Sequence, residues 1–243
     1  MRVDKRQPAE QRPFTIRPDF QSYPAGSVLI EIGKTRVICA ASVRNSVPRW
    51  MREQNVSGGW LTAEYQMLPS ATPERSGRES TRGKPSGRTQ EIQRLIGRSL
   101  RSVVDLEKIG ARTIQLDCDV IDADGGTRCA SITGASVALN MALRKLFKEG
   151  AISSWPMSEH VAAVSAGIVD GEMLLDLSYA EDSTADVDMN VVVAESGNLV
   201  EIQGAAEGKT FSQQQMQDML KLTVEGAAEL HKQQKQSMEE YYG

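Results

Sequence analysis

Apolar positions along the chain keep two rhythms, every second residue or every third to fourth, and the changes between them mark the elements. Gly26-Ser-Val-Leu-Ile-Glu-Ile and Thr35-Arg-Val-Ile-Cys-Ala-Ala-Ser are β-rich runs separated by Gly33-Lys34, which predicts an opening antiparallel hairpin. From Pro48 to Gly87 glycine, serine, proline and arginine dominate, so this stretch is expected to be largely loop around a short apolar island, Trp60 to Leu68. Ile92, Leu95, Ile96, Leu100, Val103 and Val104 then follow helical spacing with Gly110 as the stop, and Arg94, Arg98 and Arg101 make the other side basic. Thr113 to Ile121 alternates Ile114, Leu116, Cys118 and Val120 against Gln115, Asp117 and Asp119, the period of a half-exposed strand. After a tight glycine turn, Cys129 to Lys148 is dense enough in Ala, Val, Leu and Met to read as a buried helix.

Strands return at His160 to Val169, Met173 to Leu177, Met189 to Ala194 and Leu199 to Gln203. Ser212 is placed to cap a closing helix that carries Met216, Met219, Leu220, Leu222, Val224, Ala227 and Leu230, and the polar helical tail from about Lys232 is expected to fray. No low-complexity linker divides this order of strands and helices, which predicts one α+β domain over residues 1–243.

Composition narrows the function classes. With 40% hydrophobic and 25% charged residues the chain has the make-up of a globular protein. No stretch approaches the roughly 18 to 20 apolar residues of a membrane span. The polar opening, lacking an apolar signal core, leads us to expect a cytoplasmic protein. Cys39, Cys118 and Cys129 form no C-x-x-C pair and read as buried thiols, and two histidines, His160 and His231, make a histidine triad or histidine-rich metal centre a poor fit. Charge is divided unevenly. Residues 1–115 hold 20 Lys and Arg against 11 Asp and Glu, a net +9, whereas residues 116–243 hold 8 against 21, a net −13. One half suits a polyanion and the other suits cations, and mixed solvated faces would give the same count.

Four segments carry candidate chemistry. Asp124-Gly-Gly-Thr-Arg128 stands where a strand hands over to a helix, so glycine amides, a helix N-terminus, a hydroxyl and a guanidinium could cradle phosphate; a plain tight turn is the alternative. It is neither a Walker loop nor a dinucleotide fingerprint. Ser86-Gly-Arg-Thr89 is a second small-residue helix start with Arg88 at its mouth, gaining weight only beside Arg128. Glu181 to Asp188 brings four carboxylates, Asp186 and Asp188 on one strand face and Asp182 folding back from a loop; oxygen ligands suit Mg²⁺ or Mn²⁺, and a solvated acidic turn is the alternative. Arg75, Arg78, Arg82 and Lys84 lie in a flexible loop that suits a phosphate backbone or simply solvent. Asp117 and Asp119 read as structural ahead of catalytic, Cys118 as core, and Trp50, Trp60 and Trp155 as packing.

Taken together, residues 86–98, 117–128, 130–134 and 181–191, with the opening Met-Arg-x-Asp-x-Arg and Trp-Leu-Thr-Ala-Glu-Tyr-x-Met-Leu-Pro at 60–69, resemble the bacterial ribonuclease PH family over essentially the whole chain. The resemblance implies a ribosomal S5 domain 2-like fold. It implies a phosphate-dependent 3′ to 5′ exoribonuclease that trims tRNA precursors and other structured RNA 3′ ends, releases nucleoside diphosphates and assembles as a hexamer, a trimer of dimers. It places Arg88, Gly126, Thr127 and Arg128 in the phosphate site, Asp182 and Asp188 as metal-associated catalytic carboxylates with Mg²⁺ or Mn²⁺, and Arg75 and Arg78 on the RNA. Arg128 would be catalytic as well. Ser70 departs from the family's arginine, which implies weaker tRNA affinity. A noncatalytic RNA-binding ring subunit and a hydrolytic nuclease are the competing readings.

Overall fold

The computed structural model describes residues 2–243; Met1, and the side chain of Arg82 in the basic run, lie outside the described residues. Among the described residues nine strands form two sheets. The first contains β1 (Phe14–Pro18), β2 (Gly26–Ile32), β3 (Thr35–Arg44), β4 (Trp60–Met67) and β5 (Thr113–Asp122) in the order β1-β2-β3-β5-β4. All its pairs are antiparallel except β4 with β5. The second contains β6 (Val161–Val169), β7 (Glu172–Leu175), β8 (Val187–Ala194) and β9 (Leu199–Ala206) in the antiparallel order β7-β6-β8-β9. The helices are α1 (Arg49–Glu53), α2 (Gly87–Arg101), α3 (Leu106–Ile109), α4 (Thr127–Lys148), α5 (Tyr179–Asp182) and α6 (Gln213–Tyr242). The chain is α+β, as the element order predicts.

Alternation explains the first sheet. Val28, Ile30, Val37, Cys39, Leu116, Cys118 and Val120 all turn to one side and are buried, together with residues of α2 and α4. The apolar island expected within a loop is the edge strand β4, whose Leu61, Ala63 and Tyr65 alternate inward. The Gly/Ser-rich flanks had masked this period. β1, missed altogether, is a short edge strand bounded by prolines, the position where a missing amide costs least.

α4 is the axis on which both sheets settle. It packs on β2 and β3 from one side and on β6 from the other. A Cβ at Gly134 would lie 2.8 Å from Cys39 Sγ and Ile30 Cγ2, so only glycine lets helix and sheet approach this closely. α2 ends at Arg101, earlier than the spacing predicts. Asp105 starts α3 by accepting from the Glu107 amide at 3.1 Å, and Gly110 stops that short helix instead.

The second sheet covers α6 with Val164, Ala166, Val191 and Val193 against Met219, Ala227 and Leu230. Fraying from Lys232 is not observed. Gln234 is fully buried and donates to the Thr133 carbonyl at 3.0 Å and the Val161 carbonyl at 2.9 Å, while its amide oxygen lies 2.9 Å from His231 Nδ1. A polar side chain that answers two buried carbonyls docks a helix as firmly as an apolar one.

Candidate active site

Two adjacent left-handed glycines shape the turn between β5 and α4. Gly125 has φ +76° and Gly126 φ +65°, a region closed to most side chains. Gly126 is the N-cap of the 22-residue α4, so the first free amides and the positive end of a long helix open in front of it. The Thr127 hydroxyl, buried, lies 2.9 Å from the Tyr65 hydroxyl of β4. Arg128 is half-buried and oriented by two elements: Nη1 donates to Gln203 Oε1 of β9 at 3.0 Å and to Glu91 Oε1 of α2 at 3.4 Å.

The other candidates arrive from three further elements. Ser86 caps α2 by accepting from the Thr89 amide at 3.2 Å, which fixes exposed Arg88 in the first turn. Ser178 and Glu181 form a capping box on α5, so Asp182 ends a short helix where a loop was expected. Asp188 lies on β8, and Asn190 follows it on the same face. Asp186, expected beside Asp188, precedes the strand and pairs with Lys209 Nζ at 2.9 Å.

A cavity of about 900 Å³ gathers these groups. Arg88, Gly126, Thr127, Arg128, Asp182 and Asp188 line it, with Arg75 from the basic loop. Arg78 does not line it; it precedes a 3₁₀ turn at Glu79–Arg82 and is exposed. Asp117 and Asp119 are also elsewhere, in a recess of about 340 Å³ with Glu64. Asn190, Tyr179 and Gln203 were not singled out from the sequence. Asn190 carried a usable signal, standing two residues after Asp188 on a strand; Gln203 carried none, because its partner Arg128 is 75 residues away.

Charge in the cavity is finely opposed. Withdrawal from water raises the Asp182 carboxyl above the ordinary aspartate range, against the pull of Arg128, Arg88 and Arg12. Asp188 is raised by the same desolvation and by the neighbouring charges of Asp182 and Glu207. Two carboxylates that repel each other beside two guanidiniums make a site poised for both a cation and an anion.

Comparison with known proteins covers most of the chain. Residues 10–144 match the family described as the 3′ exoribonuclease family, domain 1, and residues 160–226 match domain 2. Ribonuclease PH of Halalkalibacterium halodurans is 54% identical over 240 residues, covering 98% of this chain and 92% of that protein. Ribonuclease PH of Corynebacterium kroppenstedtii is 54% identical over 242 residues, covering 100% and 94%. Among solved structures, the Archaeoglobus fulgidus exosome with RNA bound to the active site superposes with a TM-score of 0.77 at 21% identity, covering 95% of this chain and 91% of that one.

Proposed function

The chain belongs to the ribonuclease PH family of 3′ exoribonucleases, and on that premise we propose how its cavity performs phosphorolysis. The protein is a phosphate-dependent 3′ exoribonuclease, a nucleotidyltransferase of tRNA processing. Inorganic phosphate is the co-substrate. The observation that carries the site reading is the meeting of Arg88, Arg128 and the Gly126–Thr127 helix start with two carboxylates in one cavity.

Phosphate sits between Arg88, Arg128, the Thr127 hydroxyl and the α4 amides, held by charge-assisted hydrogen bonds. One of its oxygens attacks the terminal phosphodiester of the RNA, the P–O3′ bond breaks, and a nucleoside 5′-diphosphate leaves. The proton count balances, because hydrogen phosphate brings one proton and the departing 3′-oxygen takes one. Two anions must approach each other, so the arginines contribute by positioning and by offsetting charge as it develops. Gln203 and Glu91 hold Arg128 in place for this. Arg75 on the cavity rim, and Arg78 beyond it, meet the RNA backbone. Ser70, where the family's pattern has an arginine, weakens that grip.

The donor set fits a hard divalent cation. Asp182 and Asp188 offer only oxygens, and both face the cavity. Among the described residues no group of three or more His, Cys, Asp or Glu could hold a metal, so the cation reading rests on these two carboxylates; Mg²⁺ commonly takes one or two carboxylates and fills its shell with water and phosphate oxygens. When bound there, Mg²⁺ or Mn²⁺ supplies charge neutralisation to the phosphates and the leaving oxygen.

The fold is read as ribosomal S5 domain 2-like, one unit in which α4 serves both sheets, and the assembly as a hexameric ring built as a trimer of dimers. The same reading, with tRNA precursors as substrate, takes the protein as cytoplasmic. The test is a short RNA incubated with and without orthophosphate, for the wild type and for Arg128→Ala. Phosphate-dependent release of nucleoside diphosphate, lost in the variant, is the expected result. Phosphate-independent release of monophosphate would establish a hydrolase, and no shortening a binding subunit.

A further inference from the structure

Two buried side chains outside the cavity hold the glycine turn from behind. Thr35, fully buried at the start of β3, accepts from the Asp124 amide at 2.9 Å and donates to the Gly125 carbonyl at 2.7 Å. Arg12, 4% exposed, donates from Nη1 to the Asp124 carbonyl and from Nη2 to the Gly125 carbonyl at 3.5 Å. Asp176 fixes that guanidinium, accepting from Nε at 2.9 Å and from Nη2 at 2.6 Å. The Asp176 carbonyl in turn accepts from Arg2 at 2.9 Å and Arg6 at 3.1 Å, and Arg2 pairs with Glu181 at 2.7 and 2.9 Å. Glu181 precedes Asp182 on α5, so one buried ionic chain joins the turn to the carboxylate wall of the cavity.

Peptide planarity gives this framework a consequence for binding. Among the described residues no peptide is cis, and in a trans peptide the carbonyl and the following amide point in opposite directions. The carbonyls of Asp124 and Gly125 are turned to Arg12 and Thr35. The amides of Gly125 and Gly126 are therefore turned away from those side chains, and both glycines line the cavity. Two consecutive amides directed at one space make an anion-binding nest, but only while the peptide planes stay in that orientation.

We propose that Arg12 and Thr35 are positioning residues for inorganic phosphate, orienting the Gly125 and Gly126 amides toward the anion held by Arg128. Neither touches the anion. The inference rests on the phosphorolytic reading for what the anion does next, while its own content is affinity for phosphate.

Thr35→Val keeps the volume and removes both hydrogen bonds, Thr35→Ser keeps both, and Arg12→Lys keeps a charge beside Asp176 but shortens the fork. Calorimetry measures orthophosphate affinity, fluorescence anisotropy measures affinity for a short RNA, and steady-state rates give KM for phosphate against kcat. Thr35→Val and Arg12→Lys should each weaken orthophosphate binding and raise its KM about five- to tenfold, the worth of one or two neutral hydrogen bonds. RNA affinity and kcat at saturating phosphate should stay within about twofold, and Thr35→Ser should restore wild-type behaviour. Wild-type phosphate affinity in Thr35→Val overturns the proposal, as does a parallel loss of phosphate and RNA binding, or a wild type that binds no orthophosphate. Should the variants behave as expected in a protein that releases no nucleoside diphosphate, the positioning role stands and the phosphorolytic reading falls.

Discussion

Alanine at Gly125 probes the contact on which the cavity depends, that between the phosphate turn and α5. Its Cβ would lie 2.5 Å from the Leu177 carbonyl oxygen and 2.8 Å from Ser178 C and Tyr179 N, all backbone atoms at the entry to α5. Restoring an ordinary contact of 3.4 Å needs a displacement of about 0.9 Å by the turn or by α5. The left-handed φ adds about 1–2 kcal/mol for a residue with a Cβ, and overpacking adds about 1–3 kcal/mol, so urea unfolding should report a loss of about 2–5 kcal/mol. Because α5 carries Asp182, a shift approaching 1 Å should also lower phosphorolysis by about 100-fold. Gly126→Ala is the control for stability. Its Cβ would meet only Arg12 Nη2 at 3.1 Å and Asp176 Oδ1 at 3.9 Å, the nearer being the far end of a side chain, so it should show the φ cost without moving α5. Equal losses of stability in the two variants would refute the reasoning; rate is read for Gly125→Ala alone, because Gly126 lines the phosphate site and its Cβ would press on Arg12.

Further outcomes follow from single contacts. Arg88→Ala and Arg128→Ala should each lower phosphate-dependent nucleoside diphosphate release by about 100- to 1,000-fold, as loss of a charge-stabilising donor does. Their melting temperatures should stay close to wild type, since Arg88 is exposed and Arg128 half-buried. Burial pushes His160 down to about 4, so the unfolded chain takes up a proton near pH 6.5 that the native chain refuses until near pH 4. Its contribution is full above pH 6.5 and is lost as the pH falls through that window, by about 3 kcal/mol in all, and His160→Gln should flatten the urea-stability curve there. Gln234→Leu strands the Thr133 and Val161 carbonyls and should cost about 2–4 kcal/mol in the same assay, whereas a frayed tail would register no change.

Most elements were legible wherever one face of the element alone decides burial. β5 alternates cleanly, β2 and β3 are compact β-rich runs buried along much of their length, and α4 is apolar on nearly every side because both sheets rest on it. The misses have physical reasons. β4 hides in a loop-like composition, α2 ends because Asp105 caps the next helix, and the α6 tail docks through polar groups that a hydropathy pattern scores as solvent. In the site, Gly126, Thr127, Arg128, Arg88, Asp182 and Asp188 were readable as local motifs, each ambiguous alone. Their convergence was not readable, because it comes from the ends of both sheets meeting at the start of α4. Arg12 and Asp176 were hidden more deeply: 164 residues apart, they are charged residues that a composition reading assigns to the surface, and each is buried only because the other is there.

The central claim, that orthophosphate bound beside Arg128 is the nucleophile, is tested most directly by the fate of its own phosphorus. With ³²P-labelled orthophosphate and unlabelled RNA, the label should appear at the β-position of the released nucleoside diphosphate in step with RNA shortening. Shortening that proceeds with unlabelled monophosphate as its product would contradict it.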